Sequence, residues 1–395
     1  MKISTNPQKI DELLNRGVAE VIDREHLKSR LLKGEKLRLK LGIDPTGPDL
    51  HIGHAVVLWK LRAFQELGHK VIIVVGDFTA TIGDPSGHDK MREPLTQDQI
   101  KKNLKTFKKQ ALMILDPKRT EFAPQTKWFN KMPLRAFLKL PGYVSIWRTL
   151  ERDLFVRRKQ EGAELTELEV LYPLLQAYDS VAIKADVEFG GTDQTFNLLQ
   201  GRKLQPHFDQ KPQDIFTVPL LEGLDGRKMS KTYGNAVNLL DSPEEKYGKI
   251  MSLRDDLMEK YFTLCTLLTM DEIKPVLIGN PRDGKMRLAR EIVALYHGAT
   301  VAKKAEEQFV NTFQKHETPE QVMSYELRVT SIGIVDLLVQ TKLATSKGEA
   351  RRVIEQGGVQ VDGKIIKDPN TEIKLSKKAV LIQKGKRHFV RATAA

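Results

Sequence analysis

Two histidines stand three residues apart at the start of a predicted helix, in the segment His51-Ile52-Gly53-His54. The free N–H groups and the dipole at this end of a helix attract anions such as phosphate. His-x-x-His alone is a weak zinc signal because no third ligand lies nearby. From this segment alone, phosphate binding and an ordinary surface position are equally good interpretations. Gly53 favours a functional role, since glycine in a first helical turn suggests that another group packs on the backbone.

Two further groups of polar residues carry possible chemistry. Gly76-Asp77 and Gly83-Asp84-Pro85-Ser86-Gly87 follow a predicted strand, and ligands of open α/β sheets bind beyond the carboxyl ends of strands. In isolation, a plain turn is the better interpretation of the second segment. Tyr172, Gln176 and Asp179 recur at i, i+4 and i+7, which places one polar stripe on a helix among leucines. Such a stripe faces either water or a bound polar molecule.

A loop with two lysines lies further along the chain, at Gly226-Arg227-Lys228-Met229-Ser230-Lys231-Thr232. Two cations and two hydroxyls in a Gly-flanked loop suit a triphosphate, although a solvated basic loop is the commoner fate of such runs. The sequence contains neither a complete Walker motif ending in Gly-Lys-Ser or Gly-Lys-Thr nor the dinucleotide pattern Gly-x-Gly-x-x-Gly. A phosphate site here would therefore be of another kind.

A βαβ unit positions the histidines. Leu37 to Asp44 alternates apolar and polar residues as a strand does, and a helical pattern then runs to Gly68. Val71 to Val75 is unbroken and apolar, which is typical of a parallel strand covered on both faces. Further strands are predicted at Val187 to Phe189 and at Ile215 to Leu221. The predicted fold class is α/β with a parallel sheet.

The chain divides into segments of different composition. Residues 1–240 carry the strands and most motifs, 241–315 are helical, 316–330 form a polar linker, and 331–395 are a small basic unit. A chain of 395 residues is long enough for two or three domains. Residues 331–395 contain thirteen Lys/Arg and six Asp/Glu, which gives this segment a net charge of +7. The net charge of the whole chain is +13. A basic end of this kind predicts a polyanionic partner, most simply nucleic acid.

Cysteine use and hydropathy narrow the setting of the protein. The single cysteine, Cys265, excludes an internal disulfide framework and suits a reducing cytoplasm. No apolar run approaches the ~18 residues of a membrane span. We therefore expect a cytoplasmic protein that has no membrane partner.

Taken together and in this order, the motifs closely resemble those of a class I aminoacyl-tRNA synthetase. His51-Ile52-Gly53-His54 matches the first signature of that family, and Lys228-Met229-Ser230-Lys231-Thr232 matches the second except for its final threonine. The substrate-side motifs resemble those of the bacterial tyrosyl enzymes, namely Gly42-x-Asp44-Pro45-Thr46, Gly83-Asp84-Pro85-Ser86-Gly87, the Tyr172/Gln176/Asp179 stripe and Gly190-Gly191-Thr192-Asp193-Gln194. The resemblance covers nearly the whole chain.

The C-terminal unit resembles a small RNA-binding domain shared by a ribosomal protein, some pseudouridine synthases and bacterial tyrosyl-tRNA synthetases. Its pattern is a Leu343-to-Arg352 segment followed by Gly357-Gly358-Val359. A helix with Lys347, Arg351 and Arg352 nearly on one face would present a cationic ridge to a phosphate backbone. The regular apolar spacing makes a solvated basic tail a poor alternative.

The resemblance implies a tyrosine–tRNA ligase reaction. It also implies a Rossmann-like parallel-sheet catalytic domain, then a helical anticodon-side domain, then a small α+β RNA-binding domain. Tyrosine and ATP would form tyrosyl-adenylate and pyrophosphate, and the tyrosyl group would then pass to the terminal adenosine of tRNA(Tyr). ATP would arrive with Mg²⁺, while no tightly bound cofactor and no metal site in the protein are expected. A homodimer is implied by the resemblance alone.

The same resemblance assigns the site residues. The catalytic residues would be His51, His54, Lys228 and Lys231. ATP would be bound by Asp44, Thr46, His51, Gly53, His54, Asp193, Gln194, Lys228, Met229, Ser230, Lys231 and Thr232. Tyrosine would be bound by Gly42, Asp84, Tyr172, Gln176, Asp179 and Gln194. RNA would be bound by Lys347, Arg351 and Arg352.

Two positions depart from the better-known bacterial tyrosyl enzymes. Lys40 stands in the first strand where those enzymes have a tyrosine that contacts the substrate hydroxyl, and Phe196 stands where they often have tryptophan. Asp179 is therefore expected to be the main hydroxyl contact, and its partner stays open. A buried carboxylate there would be satisfied only when the phenol donates to it. Strand alternation also leaves open whether Lys40 points inward to support that carboxylate or outward to solvent.

Two alternatives to this interpretation have different functions. A tryptophanyl-tRNA synthetase has a similar fold and similar signatures, but Asp179 and the basic C-terminal unit count against it. A catalytically inert homologue that only binds RNA is the other alternative. The intact histidine and lysine signatures count against that alternative.

Overall fold

The computed structural model describes residues 3–45, 47, 49–81, 95–151, 153–230, 233–314, 323–327, 329–385 and 388–394. These residues form two compact units. One consists of residues up to 242 together with 252–288, and the other of residues 243–251 together with the chain from 289 onward. Thr46, Asp84, Lys231 and Thr232, which the sequence predicted to be site residues, lie outside the described residues.

The described residues form both helices and strands. The helices are α1 (Pro7–Asn15), α2 (Arg24–Leu32), α3 (Ile52–Glu66), α4 (Gln97–Ala111), α5 (Thr126–Phe129), α6 (Leu134–Phe137), α7 (Ile146–Leu150), α8 (Asp153–Gln160), α9 (Glu167–Ile183), α10 (Thr195–Leu204), α11 (Pro243–Met251), α12 (Met258–Cys265), α13 (Met270–Ile278), α14 (Pro281–His297), α15 (Ala299–Gln314), α16 (Ile334–Gln340) and α17 (Lys347–Glu355). The strands are β1 (Glu20–Ile22), β2 (Arg38–Ile43), β3 (Lys70–Val75), β4 (Thr120–Pro124), β5 (Val187–Gly191), β6 (Asp214–Val218), β7 (Met323–Leu327), β8 (Ser331–Gly333), β9 (Val359–Val361), β10 (Lys364–Ile366), β11 (Glu372–Lys374), β12 (Val380–Lys384) and β13 (His388–Ala394). In the described part of the chain, no helix combines the length and apolar character needed to cross a bilayer.

A six-stranded sheet forms the centre of the first unit, in the order β1-β6-β5-β2-β3-β4. Neighbouring strands are parallel except at the edge, where β1 pairs with β6 in the antiparallel direction. Residues on both faces of β3 are buried, because helices cover the sheet from both sides. The predicted α/β fold and the predicted unit β2–α3–β3 are confirmed.

The strand order places a crevice between β2 and β5. From β2 the chain moves to β3 on one side, whereas β5 lies on the other side of β2. Connections that diverge in this way leave a crevice at the carboxyl ends of the two strands. Ile43 ends β2 and Gly191 ends β5, so the predicted ligand motifs begin at this crevice.

The polar stripe predicted from the sequence lies on α9. Thr166 caps this helix: its hydroxyl accepts from the Glu169 N–H, and the Glu169 carboxylate accepts from the Thr166 N–H. Tyr172, Gln176 and Asp179 are all buried. The stripe therefore faces the interior of the unit and not water.

The C-terminal part of the second unit is a small α+β arrangement. Its strands form one sheet in the order β10-β9-β12-β13-β7 and a second sheet of β8 and β11. A single core joins α16 and α17 to these strands. Because β7 pairs with β13, the prediction that residues 316–330 are a linker is wrong for Met323–Leu327. The helical segment predicted at 241–315 is also divided, since residues 252–288 belong to the first unit.

Candidate active site

A cavity of about 240 Å³ lies at the carboxyl ends of β2 and β5. Apolar side chains form much of its wall, among them Leu41, Val57 and Phe189. The predicted site residues that line it are Gly42, Asp44, His54, Tyr172, Gln176, Asp179 and Gln194. Residues far apart in the sequence therefore share one cavity, with an apolar wall suited to an aromatic ring and a few polar groups to orient it.

Asp179 is a fully buried carboxylate in this cavity. Its Oδ2 accepts from Gln125 Nε2 at 2.7 Å, and its Oδ1 accepts from Trp128 Nε1 at 3.1 Å. The expectation that only a ligand could satisfy this carboxylate is wrong, because the protein supplies two donors. Burial raises the pKa of Asp179 to about 7, although the positive charge of Lys40 acts in the opposite direction.

Lys40 points inward, which answers the question that strand alternation left open. Its Nζ lies 2.8 Å from Glu188 Oε1 and donates to the backbone oxygen of Gln176 at 2.7 Å. A third hydrogen bond goes to Ser180 Oγ at 2.8 Å. Lys40 does not donate to Asp179, so its influence on that carboxylate is electrostatic.

Asp44 is held at the rim of the cavity by two hydroxyl groups. The Tyr172 hydroxyl donates to Asp44 Oδ2 at 2.9 Å, and the Thr79 hydroxyl lies 2.7 Å from Oδ1. A Cβ atom at Gly76 would lie 1.8 Å from the same Oδ1. Glycine at position 76 is therefore what allows the Asp44 carboxylate to reach its place beside the strand end.

His51 and His54 sit at the N-terminal end of α3, as predicted. The His51 N–H donates to His54 Nδ1 at 3.2 Å, and the ring centroids lie 3.8 Å apart. His54 is exposed and lines the cavity, whereas His51 is half-buried and is not among the lining residues. An imidazole at the N-terminal end of α3 thus borders the cavity, at the end of the helix that favours an anion.

Gly53 explains how the two signature motifs come together. A Cβ atom at this position would lie 3.0 Å from His51 Nδ1 and 3.5 Å from Met229 Sδ. Met229 is buried. The prediction that another group packs on the Gly53 backbone is confirmed: the His51 ring lies nearest, followed by the Met229 side chain of the second signature.

Asn235, which the sequence did not indicate, holds the lysine-bearing loop. Its Oδ1 accepts from the Ser230 N–H at 2.8 Å, and its Nδ2 donates to Asp225 Oδ1 at 2.8 Å. Nδ2 also lies 3.2 Å from the backbone oxygen of Lys228. Because Asn235 is buried, it fixes the start of this loop while the Lys228 side chain stays exposed.

Gln194 and Asp193 differ in their placement. Gln194 lines the cavity, and its Oε1 accepts from Asn197 Nδ2 at 2.9 Å. Asp193 is exposed and is not among the lining residues. Of this predicted pair, only Gln194 is in a position to contact a molecule within the cavity.

Sequence reasoning missed Gln125, Trp128 and Thr79. Gln125 directly follows β4, and its Oε1 accepts from the Thr79 N–H at 3.0 Å. It thus joins Asp179 to the segment after β3. The available signal was its position at the carboxyl end of a parallel strand, but β4 itself was not predicted.

In the second unit, α17 carries the predicted RNA-binding residues. Ser346 caps this helix by accepting from the Glu349 N–H at 3.2 Å. Lys347 pairs with Asp336 at 2.7 Å. Arg351 and Arg352 are exposed, and within the described part of the chain no carboxylate is paired with either guanidinium. The cationic surface of α17 therefore depends chiefly on these two arginines.

One cluster outside the cavity has the donor atoms of a metal site. The ligand atoms of Asp23, His26 and Asp214 lie within 4.8 Å of one another. Arg202 pairs with Asp23 at 3.0 Å and lies 3.6 Å from Asp214, and Arg30 lies 3.5 Å from Asp214. Two guanidinium groups already balance these carboxylates, so the cluster is better described as an ion-pair network.

Comparison with protein families agrees with this geometry. The model described as tRNA synthetases class I (W and Y) matches residues 32–314. The model described as the tyrosine--tRNA ligase SYY-like C-terminal domain matches residues 314–392. Since the first match covers more than half of the chain, the chain belongs to the class I tRNA synthetases. Relatives that align with nearly all of the chain show which of these synthetases it resembles.

Those relatives are tyrosine–tRNA ligases. The tyrosine–tRNA ligase of Moorella thermoacetica is 47% identical over 96% of this chain and 94% of its own length. The corresponding enzyme of Thermotoga maritima is 48% identical over 98% of this chain and 97% of its own length. The family is therefore that of the tyrosine–tRNA ligases.

Solved structures show the same fold. A C-terminally truncated mitochondrial tyrosyl-tRNA synthetase of Aspergillus nidulans is 26% identical, with a TM-score of 0.66, over 77% of this chain and 94% of that chain. A tyrosyl-tRNA synthetase of Archaeoglobus fulgidus, complexed with L-tyrosine, is 22% identical, with a TM-score of 0.60, over 76% of this chain and 100% of that chain. At that identity the second comparison concerns the fold alone.

Proposed function

We propose that this chain, as a tyrosine–tRNA ligase, activates tyrosine with ATP and transfers the tyrosyl group to the terminal adenosine of tRNA(Tyr). The observation that carries the choice of amino acid is Asp179, a buried carboxylate in a cavity whose walls are largely apolar. An aromatic ring fits such walls, and a phenol hydroxyl can donate to the carboxylate. Sites built to bind a hydroxyl reject the analogue that lacks it, and tyrosyl-tRNA synthetases are themselves the standard example.

The first step needs no nucleophile from the protein. A carboxylate oxygen of tyrosine bonds to the α-phosphorus of ATP, and the bond from that phosphorus to the bridging oxygen breaks as pyrophosphate leaves. Catalysis then consists of positioning the reactants and stabilising charge on the transferring phosphates. Mg²⁺ enters with ATP as part of the substrate.

The histidines and the lysine loop are the proposed phosphate ligands. His54 lines the cavity at the N-terminal end of α3, where the helix dipole favours negative charge. His51 is the N-cap residue of the same helix, and its ring lies beside that of His54. Lys228 belongs to a loop that packs on the helix start through Met229. In our proposal Lys231 acts with Lys228, although Lys231 lies outside the described residues.

The amino group of tyrosine is proposed to lie near Tyr172 and Gln176. Both line the cavity and stand one turn apart on α9. Asp84, which was predicted to share this role, lies outside the described residues. Gln194, which lines the cavity, is proposed to contact both tyrosine and ATP, and the more exposed Asp193 is proposed to contact ATP.

Recognition of tRNA is proposed to involve two further parts of the chain. Helical residues 241–315 would contact the anticodon side. Residues 331–395 would bind the RNA backbone through Lys347, Arg351 and Arg352, and the net charge of +7 in this segment supports that role. A tRNA substrate and the single buried Cys265 both support a cytoplasmic location.

We further propose a homodimer, in which a second copy covers an apolar surface of the first unit. Leu134, Leu138, Ile146 and Trp147 lie within a short stretch of chain and are all exposed, with Trp147 at 75%. Exposed large apolar residues that are concentrated in this way mark interaction surfaces, and a polyanion would gain little from them. Analytical ultracentrifugation of the whole chain tests this, since a monomer at every concentration would contradict the dimer.

ATP–pyrophosphate exchange tests the proposed activity. The purified chain is supplied with each amino acid in turn, and exchange is expected with tyrosine. Exchange with tryptophan instead would support the tryptophanyl alternative. No exchange with any amino acid would support an inert RNA-binding homologue.

A further inference from the structure

A buried ion pair lies beside the cavity, on two strands that meet there. Lys40 on β2 and Glu188 on β5 are register partners in the sheet. Their Nζ and Oε1 atoms lie 2.8 Å apart, and both side chains are 0% exposed. Burying two charges costs free energy that a pair of apolar side chains would not, which raises the question of what this pair does.

The pair acts on the cavity through its neighbours, because neither residue lines the cavity itself. Lys40 Nζ donates to the Gln176 backbone oxygen and to Ser180 Oγ as well as to Glu188, so its three donors are used. The Ser180 hydroxyl donates to Glu188 Oε2 at 3.0 Å. Gln213 Nε2 is also hydrogen-bonded to that oxygen.

Gln176 is the neighbour that reaches the cavity. Its Nε2 donates to Glu188 Oε1 at 3.2 Å. A carboxylate can only accept hydrogen bonds, so it selects the nitrogen of this amide, and the amide oxygen must turn away from it. The residues that the structure describes provide no donor to that oxygen, and Gln176 lines the cavity. At this position the wall of the cavity therefore carries a hydrogen-bond acceptor, the amide oxygen of Gln176.

Tyr172, one helical turn earlier, provides a second hydrogen-bond acceptor. Its hydroxyl proton is donated to Asp44 Oδ2 at 2.9 Å, so the hydroxyl oxygen can act toward the cavity only as an acceptor. Two neighbouring acceptors suit an ammonium group, which has three donors and no acceptor.

We propose that Glu188, charge-balanced by Lys40, is a positioning residue for the substrate's amino group: it holds the Gln176 amide with the oxygen toward the cavity. A glutamine at position 188 could present either an oxygen or a nitrogen, and the Gln176 amide could then turn. This inference rests on the proposed function, since it requires that tyrosine occupies the cavity.

The inference is tested by measuring how two ligands bind to the Glu188→Gln variant. Tyrosine carries the amino group, and desaminotyrosine is the same molecule without it. Isothermal titration of the full-length chain measures Kd for both. The Kd for tyrosine should rise about 10–100-fold, because a hydrogen bond to a charged group is misoriented, while the Kd for desaminotyrosine should change less than about twofold.

Two more variants separate orientation from general damage to the fold. Ser180→Ala removes the hydroxyl that is hydrogen-bonded to both Lys40 and Glu188 but keeps the contact between Glu188 and the Gln176 amide. The ratio of the two Kd values should therefore stay at the wild-type value. The double variant Lys40→Met/Glu188→Gln removes both charges and leaves no buried cation unpaired. It should lose tyrosine binding selectively, as Glu188→Gln does, and it replaces that variant if the single change prevents folding.

The outcomes distinguish the inference from the proposed function. Equal losses for both ligands, or no loss for either, would overturn the positioning role of Glu188. A wild-type chain that fails to bind tyrosine would instead contradict the proposed function. The wild-type titration is therefore measured first.

Discussion

Asp179 is the residue expected to decide between tyrosine and phenylalanine. Asp179→Ala removes the proposed acceptor for the phenol and should lower kcat/KM for tyrosine far more than for phenylalanine, narrowing the ratio of the two values about 10–100-fold. ATP–pyrophosphate exchange with both amino acids measures the ratio. Asp98→Ala, which removes a carboxylate that is 97% exposed on α4, is the control. A ratio that does not move in Asp179→Ala would mean that the hydroxyl is recognised elsewhere.

Burial of Asp179 should also make the stability of the fold depend on pH. Its pKa is raised to about 7, whereas an aspartate in an unfolded chain titrates near ~3.9. Between these values the native state binds more protons than the unfolded state, so this group's contribution to stability is lost as pH rises through that window.

Asp179→Asn removes the titrating group and provides the test of this pH dependence. The free energy of unfolding of the variant, measured relative to that of wild type, should rise by up to about 4 kcal/mol from about pH 4 to about pH 8. Urea unfolding at both values measures the difference. If the two proteins differ by the same free energy at both, Asp179 does not titrate with a raised pKa.

The residues found from sequence and those missed differ in how local their signals are. His54 was found because a helix start can be recognised from its own neighbours, whereas Asp44 was assigned by the resemblance of its motif to that of a known family. Gln125 was missed although it donates to Asp179, because the two residues are 54 positions apart. The orientation of Lys40 was also undecided, since its partner Glu188 lies on a strand that pairs with β2 only in the folded sheet.

At the scale of elements, the N-terminal end of α3 is where phosphate should be stabilised. His54→Ala would remove one contact that we propose to the transferring phosphates. The rate of tyrosyl-adenylate formation should fall by ~10²–10³, which corresponds to about 2.7–4 kcal/mol. Rapid-quench measurement of the activation step gives this rate, and equilibrium binding of tyrosine to the same variant should be unchanged. An unaltered rate would remove this histidine from the mechanism.

The elements themselves were predictable where their patterns are local. β2, α3 and β3 follow from alternation, helical spacing and an unbroken apolar run in one stretch of chain. β7 was not predicted, although Met323, Tyr325 and Leu327 alternate with two polar residues, because the segment is only five residues long and lies in a polar stretch. It becomes a strand by pairing with β13. The residues with which β7 pairs lie more than sixty positions away, so a pattern read from the neighbouring residues does not include them.

At the scale of the whole molecule, the order of the segments was predictable but their boundaries were not. The basic C-terminal segment was recognised by charge, and the match at residues 314–392 agrees with a separate domain there. Residues 252–288 nevertheless belong to the first unit, and a helical pattern cannot say which unit a helix packs in. One consequence concerns truncation: a cut near Thr330 would retain β7 and remove its partner strand.

Substitution within the full chain is therefore the better test of the C-terminal domain. Replacing both Arg351 and Arg352 with alanine should raise the KM for tRNA while leaving ATP–pyrophosphate exchange unchanged, because α17 would contact only the RNA. If each arginine contacts one phosphate, the log–log dependence of tRNA binding on salt should flatten by about 1.4–1.8. The control removes two exposed lysines of α4, Lys101 and Lys102, and so changes the net charge equally. An equal effect of both double variants would mean that total charge, and not the surface of α17, governs tRNA binding.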